Sequence, residues 1–252
     1  QYNWNGSEPG PVATEQQRRR MPQWNTVDLV SPFGAANYHG LDVQLDKRFS
    51  AGFSATAAYT WSHSIDNLPE QFGAGGGGLM DTRNLRLSRG NSNFDIRHRF
   101  VSSLVWDVPV KGILGGWQLS TLVSMQTGSP FTLTVPNARQ RLGATSIANW
   151  WPDRIGDGKL VEKSAQKWFD TSAFILPRNA DGTWRVGNAG RGILRTDDLF
   201  NLDAGLLKNF ALTERVGLQF RAEVFNVTNT PTLGDPVLNI ESPDFGAVRS
   251  TV

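Results

Sequence analysis

"VGLQFRAEVFN", residues 216–226, sets Val216, Leu218, Phe220, Ala222 and Val224 on one parity and Gly217, Gln219, Arg221 and Glu223 on the other. Successive side chains of a strand point to opposite faces, so the stretch presents one apolar and one polar surface and requires two environments. Two arrangements provide them. A soluble antiparallel sheet turns its apolar face to a core and its polar face to water. A membrane barrel turns the apolar face outward to lipid and the polar face inward to a wet lumen. One strand fits both equally, and the rest of the chain must decide.

The 252 residues allow one large or two modest domains. Twenty-six Gly and nine Trp beside three Met favour turn-rich β structure over a helical bundle. With no Cys there is no disulfide framework, thiolate catalysis or Cys-based metal site. Lys plus Arg exceed Asp plus Glu by 25 − 23 = 2. So even a balance does not describe a nucleic-acid binder, despite the sequence pI of about 9.1. The one basic run, Arg18-Arg19-Arg20, reads as a solvated loop. No stretch approaches the ~18 apolar residues of a spanning helix. That excludes a helical membrane protein and leaves a barrel open, because only alternate strand residues need be apolar.

Period two recurs in six segments. In "YHGLDVQLDKRF", Leu41, Val43 and Leu45 alternate with Asp42, Gln44 and Asp46. "GFSATAAYTWS" opposes Phe53, Ala55, Ala57, Tyr59 and Trp61 to Ser54, Thr56, Ala58 and Thr60. "RFVSSLVWDV" carries Phe100, Leu104, Trp106 and Val108, and "WQLSTLVSMQ" sets Trp117, Leu119, Val123 and Met125 against Gln118, Ser120, Ser124 and Gln126. A noisier "FNLDAGLLKNF" precedes the opening stretch. Short connections join the first strand to the second, the third to the fourth and the fifth to the sixth. Long ones, about residues 64–96 and 129–199, join the others and far exceed hairpin loops of ~2–5 residues. In an up-and-down meander this alternation gathers every short turn at one end, as in barrels with short periplasmic turns and long external loops. Tyr59 and Trp61 stand at the long-loop end, and Phe49, Phe53, Trp106, Trp117 and Phe210 near the short-turn end, as two interfacial girdles would. Ala55, Ala57, Ala204 and Ala222 would leave a sandwich core underfilled, whereas lipid chains conform to them. The expected fold is therefore all-β, an antiparallel up-and-down meander in a transmembrane outer-membrane β-barrel with long extracellular loops.

The segments "NYHGLDVQLDKRFSAGFSATAAYTWSHSIDN", "NSNFDIRHRFVSSLVWDVP", "GGWQLSTLVSMQTGSPFTL", "WFDTSAF", "GNAGRGILR" and "NLDAGLLKNFALTERVGLQFRAEVFNVTNTP" together resemble the C-terminal barrel of TonB-dependent outer-membrane receptors of the Oar-like type. The resemblance covers well over half the chain in order. It implies a large barrel of about twenty-two strands, plugged from the periplasmic side, in the outer membrane of a Gram-negative bacterium. Its implied partners are outer-membrane lipid, periplasmic TonB acting through an N-terminal and plug region, the barrel assembly machinery, and a bulky solute. A signal peptide, a carboxypeptidase-regulatory-like domain, a plug, a TonB box and a final aromatic-ended strand after "FGAVRSTV" are family features without a counterpart here. Residues 1–252 are thus expected to form a partial C-terminal barrel domain, about a third of a barrel, with two unpaired edges.

Motifs for chemistry are weak. His39, His63 and His98 include no pair at zinc-protease spacing. "DIRHR" (95–99) reads as a charged rim where a strand meets water. "GAGGGG" (73–78) lacks the Lys-Ser/Thr of a phosphate loop and reads as a flexible external loop. "GNAGRG" (187–192) lacks the strand-to-helix setting of a dinucleotide fingerprint. "PDRIGDG" offers Asp153 and Asp157 as weak calcium ligands. No enzymatic activity and no cofactor are expected.

Lumen-lining candidates are Asp42, Gln44, Asp46, Gln118, Ser120, Gln219, Arg221 and Glu223, whose bland role is to pair across strands and hold the wall. Candidates for ligand contact from the loops are Trp150, Trp151, Trp168 and Trp184. Lipid-facing candidates are Phe53, Tyr59, Trp61, Trp106, Trp117, Leu218, Phe220 and Val224. The rival readings are a soluble β-sandwich that stacks sugars on loop tryptophans, and a loop-borne hydrolase using Asp153, Asp157 and Asp170. Membrane-assembly assays separate them. Phe220→Arg should cost about 2–4 kcal/mol if that side chain sits at the bilayer midplane, and Gln219→Arg should be tolerated; equal tolerance at both would count against the barrel.

Overall fold

The computed structural model describes the chain apart from residues 1, 31, 33, 69–78, 113–114, 148–149, 214 and 252. The glycine run 73–78 and Val252, both read above, lie outside the described residues. Six long strands form at the predicted segments: β1 (Ala36–Ser50), β2 (Phe53–Asp66), β3 (His98–Asp107), β4 (Trp117–Gln126), β5 (Leu199–Ala211) and β6 (Gly217–Val224). They lie side by side in chain order in one antiparallel sheet, and a short strand, Gly90–Asn91, adds to the end of β2. Between β1 and β2 only Ala51 and Gly52 make the turn, both at positive φ (52° and 84°). That is the pattern of a primed two-residue hairpin, which glycine adopts freely and alanine only at a cost.

Register sorts the two faces. Leu41, Val43 and Leu45 pair with Trp61, Tyr59 and Ala57, and Phe53, Ala55 and Tyr59 pair with Trp106, Leu104 and Phe100. The same face continues through Leu119, Val123 and Met125 to Leu206, Leu202 and Phe200, then to Ala222, Phe220 and Leu218. All eight side chains expected on the apolar side share this face. The opposite face carries Asp42, Gln44, Asp46, Thr60, Gln118, Ser120, Asn209, Gln219, Arg221 and Glu223. No second large sheet covers the apolar face among the described residues, since the remaining sheets have two strands each. Leu41, Leu45, Leu218, Phe220 and Val224 accordingly remain exposed, as no two-sheet sandwich core would leave them. The sheet is open, with β1 and β6 as its edges.

Apolar and aromatic residues at the turn end cluster with two lysines. Lys47 Nζ lies 3.9 Å from the ring centre of Phe53, and Lys208 Nζ lies 4.8 Å from that of Trp117 and 4.9 Å from that of Phe210. Phe220 stands opposite Lys208 and meets Trp117 edge-on at 6.4 Å. It therefore belongs to the turn-end belt rather than to the middle of the strands. An arginine there falls under the ~0–1 kcal/mol penalty of an interface and not the larger midplane cost.

The described residues of the long connections, with those before β1 and after β6, build a lobe at one end of the sheet. Its dry core gathers Met80, Phe131, Leu133, Trp151, Trp168, Phe169, Ala173, Phe174, Leu194 and Val248. A second cluster adds Val135, Leu142, Ala144, Ile147 and Trp150. Phe169 is the hub, 5.8 Å from Phe131, 5.9 Å from Phe174 and 5.2 Å from Phe245 between ring centres. The molecule's buried aromatic core thus sits beside the sheet's end rather than against its apolar face. Phe169→Ala should remove about 3–5 kcal/mol from the lobe while leaving β1–β6 paired; urea titration followed by protease cleavage of the connections against strand circular dichroism checks this.

Candidate functional site

Polar groups on the sheet's face opposite the apolar one pair with one another, with Val101, Val105, Leu122 and Leu207 set among them. Thr60 Oγ1 donates to Asp42 Oδ1 at 2.6 Å, Gln44 Nε2 to Asp46 Oδ2 at 2.7 Å, and Gln118 Nε2 to Asp107 Oδ1 at 2.8 Å. Gln219 Nε2 donates to Asn209 Oδ1 at 2.9 Å, Ser120 Oγ to the Gly205 carbonyl at 3.3 Å, and Arg221 lies 3.4 Å from Glu223. These groups satisfy one another across and along the strands while remaining exposed, which is the chemistry of a wetted surface. Where Gly205 contributes no side chain, a depression of about 300 Å³ opens beside Ser103, Ser120, Asp203 and Glu223.

The four loop tryptophans lie in the lobe, three of them buried. Trp150 and Trp151 are 1% and 4% exposed and enclosed in the lobe core, and Trp168, 5% exposed, borders a cavity of the lobe. Trp150 Nε1 donates to the Arg185 carbonyl at 3.1 Å and Trp168 Nε1 to the Arg195 carbonyl at 2.9 Å, as buried indoles require. Trp184 is half-buried, with the Arg178 guanidinium 3.5 Å and that of Arg141 4.7 Å from its ring centre. These rings build the lobe.

Two buried ion pairs tie the lobe to the strand ends. At the end of β2, Asp66 pairs with Arg191, both nearly buried, and Arg191 Nη2 also reaches the Asp66 carbonyl at 3.1 Å. Just before β3, Asp95 accepts from the Ser64 N–H at 2.7 Å, from Arg97 at 3.2 Å, and from Arg195. Arg195 in turn donates to the carbonyls of Asp95 (2.7 Å) and Gly128 (2.8 Å), clasping three segments. Within "DIRHR", Asp95 is buried at 1% exposure, whereas His98 and Arg99 stay exposed where the strand begins. "GNAGRG" serves close packing: a Cβ on Gly187 would lie 2.1 Å from the Trp151 carbonyl oxygen. Sequence patterning passes over these residues because each partner lies far along the chain. The only local hints are a carboxylate at a strand end and an arginine set among glycines.

The remaining polar candidates have structural partners. Both oxygens of Asp153 accept from Arg185, at 3.0 and 2.6 Å, and Asp157 Oδ1 accepts from the Lys159 N–H at 3.0 Å. His39 and His63 face each other across β1 and β2, and His98 Nδ1 lies 2.8 Å from the Tyr59 hydroxyl. No group of three metal-ligating side chains occurs among the described residues.

A sheet with one uncovered apolar face, one self-paired polar face and all long segments at one end is a wall of the outer-membrane barrel kind. The chain belongs to the family described as outer membrane beta barrel domain, whose model matches residues 1–252, and its place is the bacterial outer membrane. No curated protein and no solved structure matches it.

The Asp95 clasp makes the lobe acid-sensitive. Burial acts to raise the carboxyl's pKa, but the hydrogen bonds from the Ser64 N–H, Arg195 and Arg97 act the other way and hold it below the ordinary carboxylate range. A lowered folded-state value means that its stabilisation is complete above the unfolded value of about 3.9. It is lost as pH falls through the lower folded value. Asp95→Asn should weaken the lobe by about 3 kcal/mol at pH 7, since two guanidinium groups lose their buried partner. It should also flatten the pH dependence of unfolding below about pH 4, as urea titrations across pH would record.

Proposed function

We propose that these strands form part of the barrel of a TonB-dependent receptor of the Oar-like type, which takes up a bulky solute across the outer membrane and has no catalytic role of its own. The observation that carries this reading is the sorting of the register into an uncovered apolar face and a polar face. In that reading Phe53, Tyr59, Trp61, Trp106, Trp117, Leu218, Phe220 and Val224 meet lipid. The lumen side is then Asp42, Gln44, Asp46, Gln118, Ser120, Gln219, Arg221 and Glu223. Strands of 8 to 15 residues bracket the ~9–11 that a tilted crossing needs.

The open edges support a larger wall. Unpaired amides cannot stay unsatisfied in hydrocarbon, and closed barrels of this class start at about eight strands. β1 and β6 run in opposite senses and are free to take further neighbours. The lobe then stands at the outer mouth, with solute capture there and energy delivered by TonB through a periplasmic plug. Assembly machinery and outer-membrane lipid are its other partners. The wording of the strands, which resembles that receptor type throughout, favours a receptor over a closed small barrel.

Val123 separates the readings better than Phe220, because it lies inside β4, away from the turn-end belt, between Ser102 of β3 and Leu202 of β5. Val123→Arg should cost about 2–4 kcal/mol in vesicle refolding, with Gln219→Arg near neutral; equal costs would overturn the lipid-facing assignment. Uptake is checked by profiling medium solutes from cells with and without the gene, each with and without a protonophore. A solute whose depletion requires both gene and proton gradient is expected, and unchanged profiles would reject energised transport.

A further inference from the structure

One cavity of the lobe lies beside the Arg195 clasp. It measures about 310 Å³ and lies between residues 158–169 and 192–195, with Asn91 and Phe131 beside it. Small-ligand sites begin at about that size. Its floor is apolar and fixed: Phe131, Trp168, Phe169 and Leu194 are buried in the lobe core. Lys159 and Lys163 also line it, both exposed, and no carboxylate does. Lys163 Nζ is held 4.7 Å from the ring centre of Trp168.

Two of the three cations lining the cavity have no carboxylate partner among the described residues. Arg195, the third cation of the lining, is committed to Asp95, and the neighbouring Lys167 pairs with Asp170 at 3.7 Å. Neither Lys159 nor Lys163 forms an ion pair among the described residues. Two ammonium groups on the lining of a cleft, one of them over Trp168, attract a doubly charged anion more strongly than open solvent would allow. The floor beneath them favours an apolar body joined to that anion.

We propose that this cavity binds a phosphate monoester carried on an apolar group, with Lys159 and Lys163 taking the phosphate and Phe131 and Trp168 the apolar part. The proposal rests on the receptor reading and names the chemistry of what the lobe captures. A soluble organic phosphate and a phosphate-bearing lipid headgroup present the same chemistry. The lipid source is within reach because Asn91 of the cavity lies 3.2 Å from His63 Nε2, on the apolar face of the sheet.

The test is calorimetric titration of the full chain, purified in detergent, with 1-naphthyl phosphate at low salt. Saturable one-site binding is expected, with no binding of 1-naphthol. Affinity should fall by about tenfold or more in Lys159→Gln/Lys163→Gln and in Lys163→Glu. Both lysines are exposed, and near-ultraviolet circular dichroism verifies that the variants keep the lobe. The same titration with short-chain phosphatidic acid in mixed micelles assigns the source: tighter binding than the naphthyl ester marks a headgroup site, weaker binding a site for soluble solute. No saturable binding of either probe, or undiminished binding by the double variant, overturns the proposal. That result would leave the barrel reading standing, since the Val123→Arg comparison judges it separately.

Discussion

Alternation at period two, locked by register, is the constraint on which this molecule depends. Many cross-strand pairs in the sheet set like beside like: Tyr59 beside Phe100, Leu206 beside Leu119, Asn209 beside Gln219. A slip of one residue in any strand would carry its whole apolar set to the other side and bring its charges to the apolar face. Such a slip is costly where one side meets hydrocarbon, which offers no water to an exposed carboxylate or amide. The tight Ala51–Gly52 turn, with a register shift between Lys47 and Ser50 just before it, sets the pairing of β1 with β2.

Two lysines on the apolar face look like exceptions and obey the same rule. Lys47 and Lys208 lie at the turn end, their ammonium groups over aromatic rings and their stems along the sheet. Long cationic side chains behave this way where an apolar band gives way to a polar boundary. Histidines occupy the other boundary, with His39 opposite His63 and His98 joined to Tyr59. The apolar band between these margins is interrupted only by small polar residues such as Ser102 and Thr121.

The sheet was legible in the sequence because its information is local. Every segment from "YHGLDVQLDKRF" to "VGLQFRAEVFN" declares its faces within ten or so residues, and β4 begins and ends at the expected Trp117 and Gln126. The alternation of short and long connections was equally plain. The lobe was not, because its contacts join residues with no common pattern: Asp66 meets Arg191 from 125 positions away, and Asp95 meets Arg195 from 100. Composition gave nine tryptophans without saying which face inward. In a stretch with no period, a ring that builds a core and a ring that waits for a ligand read alike.

The lobe's core has a consequence for the order of folding. Met80, Phe131, Trp168 and Val248 belong to three stretches of chain separated by pairs of strands, and none can meet the others until those strands stand together. Closing such distant contacts early would cost chain entropy with nothing yet to repay it. The sheet is therefore the template and the lobe the last piece to set, a keystone fitted only when the arch beneath it is already standing.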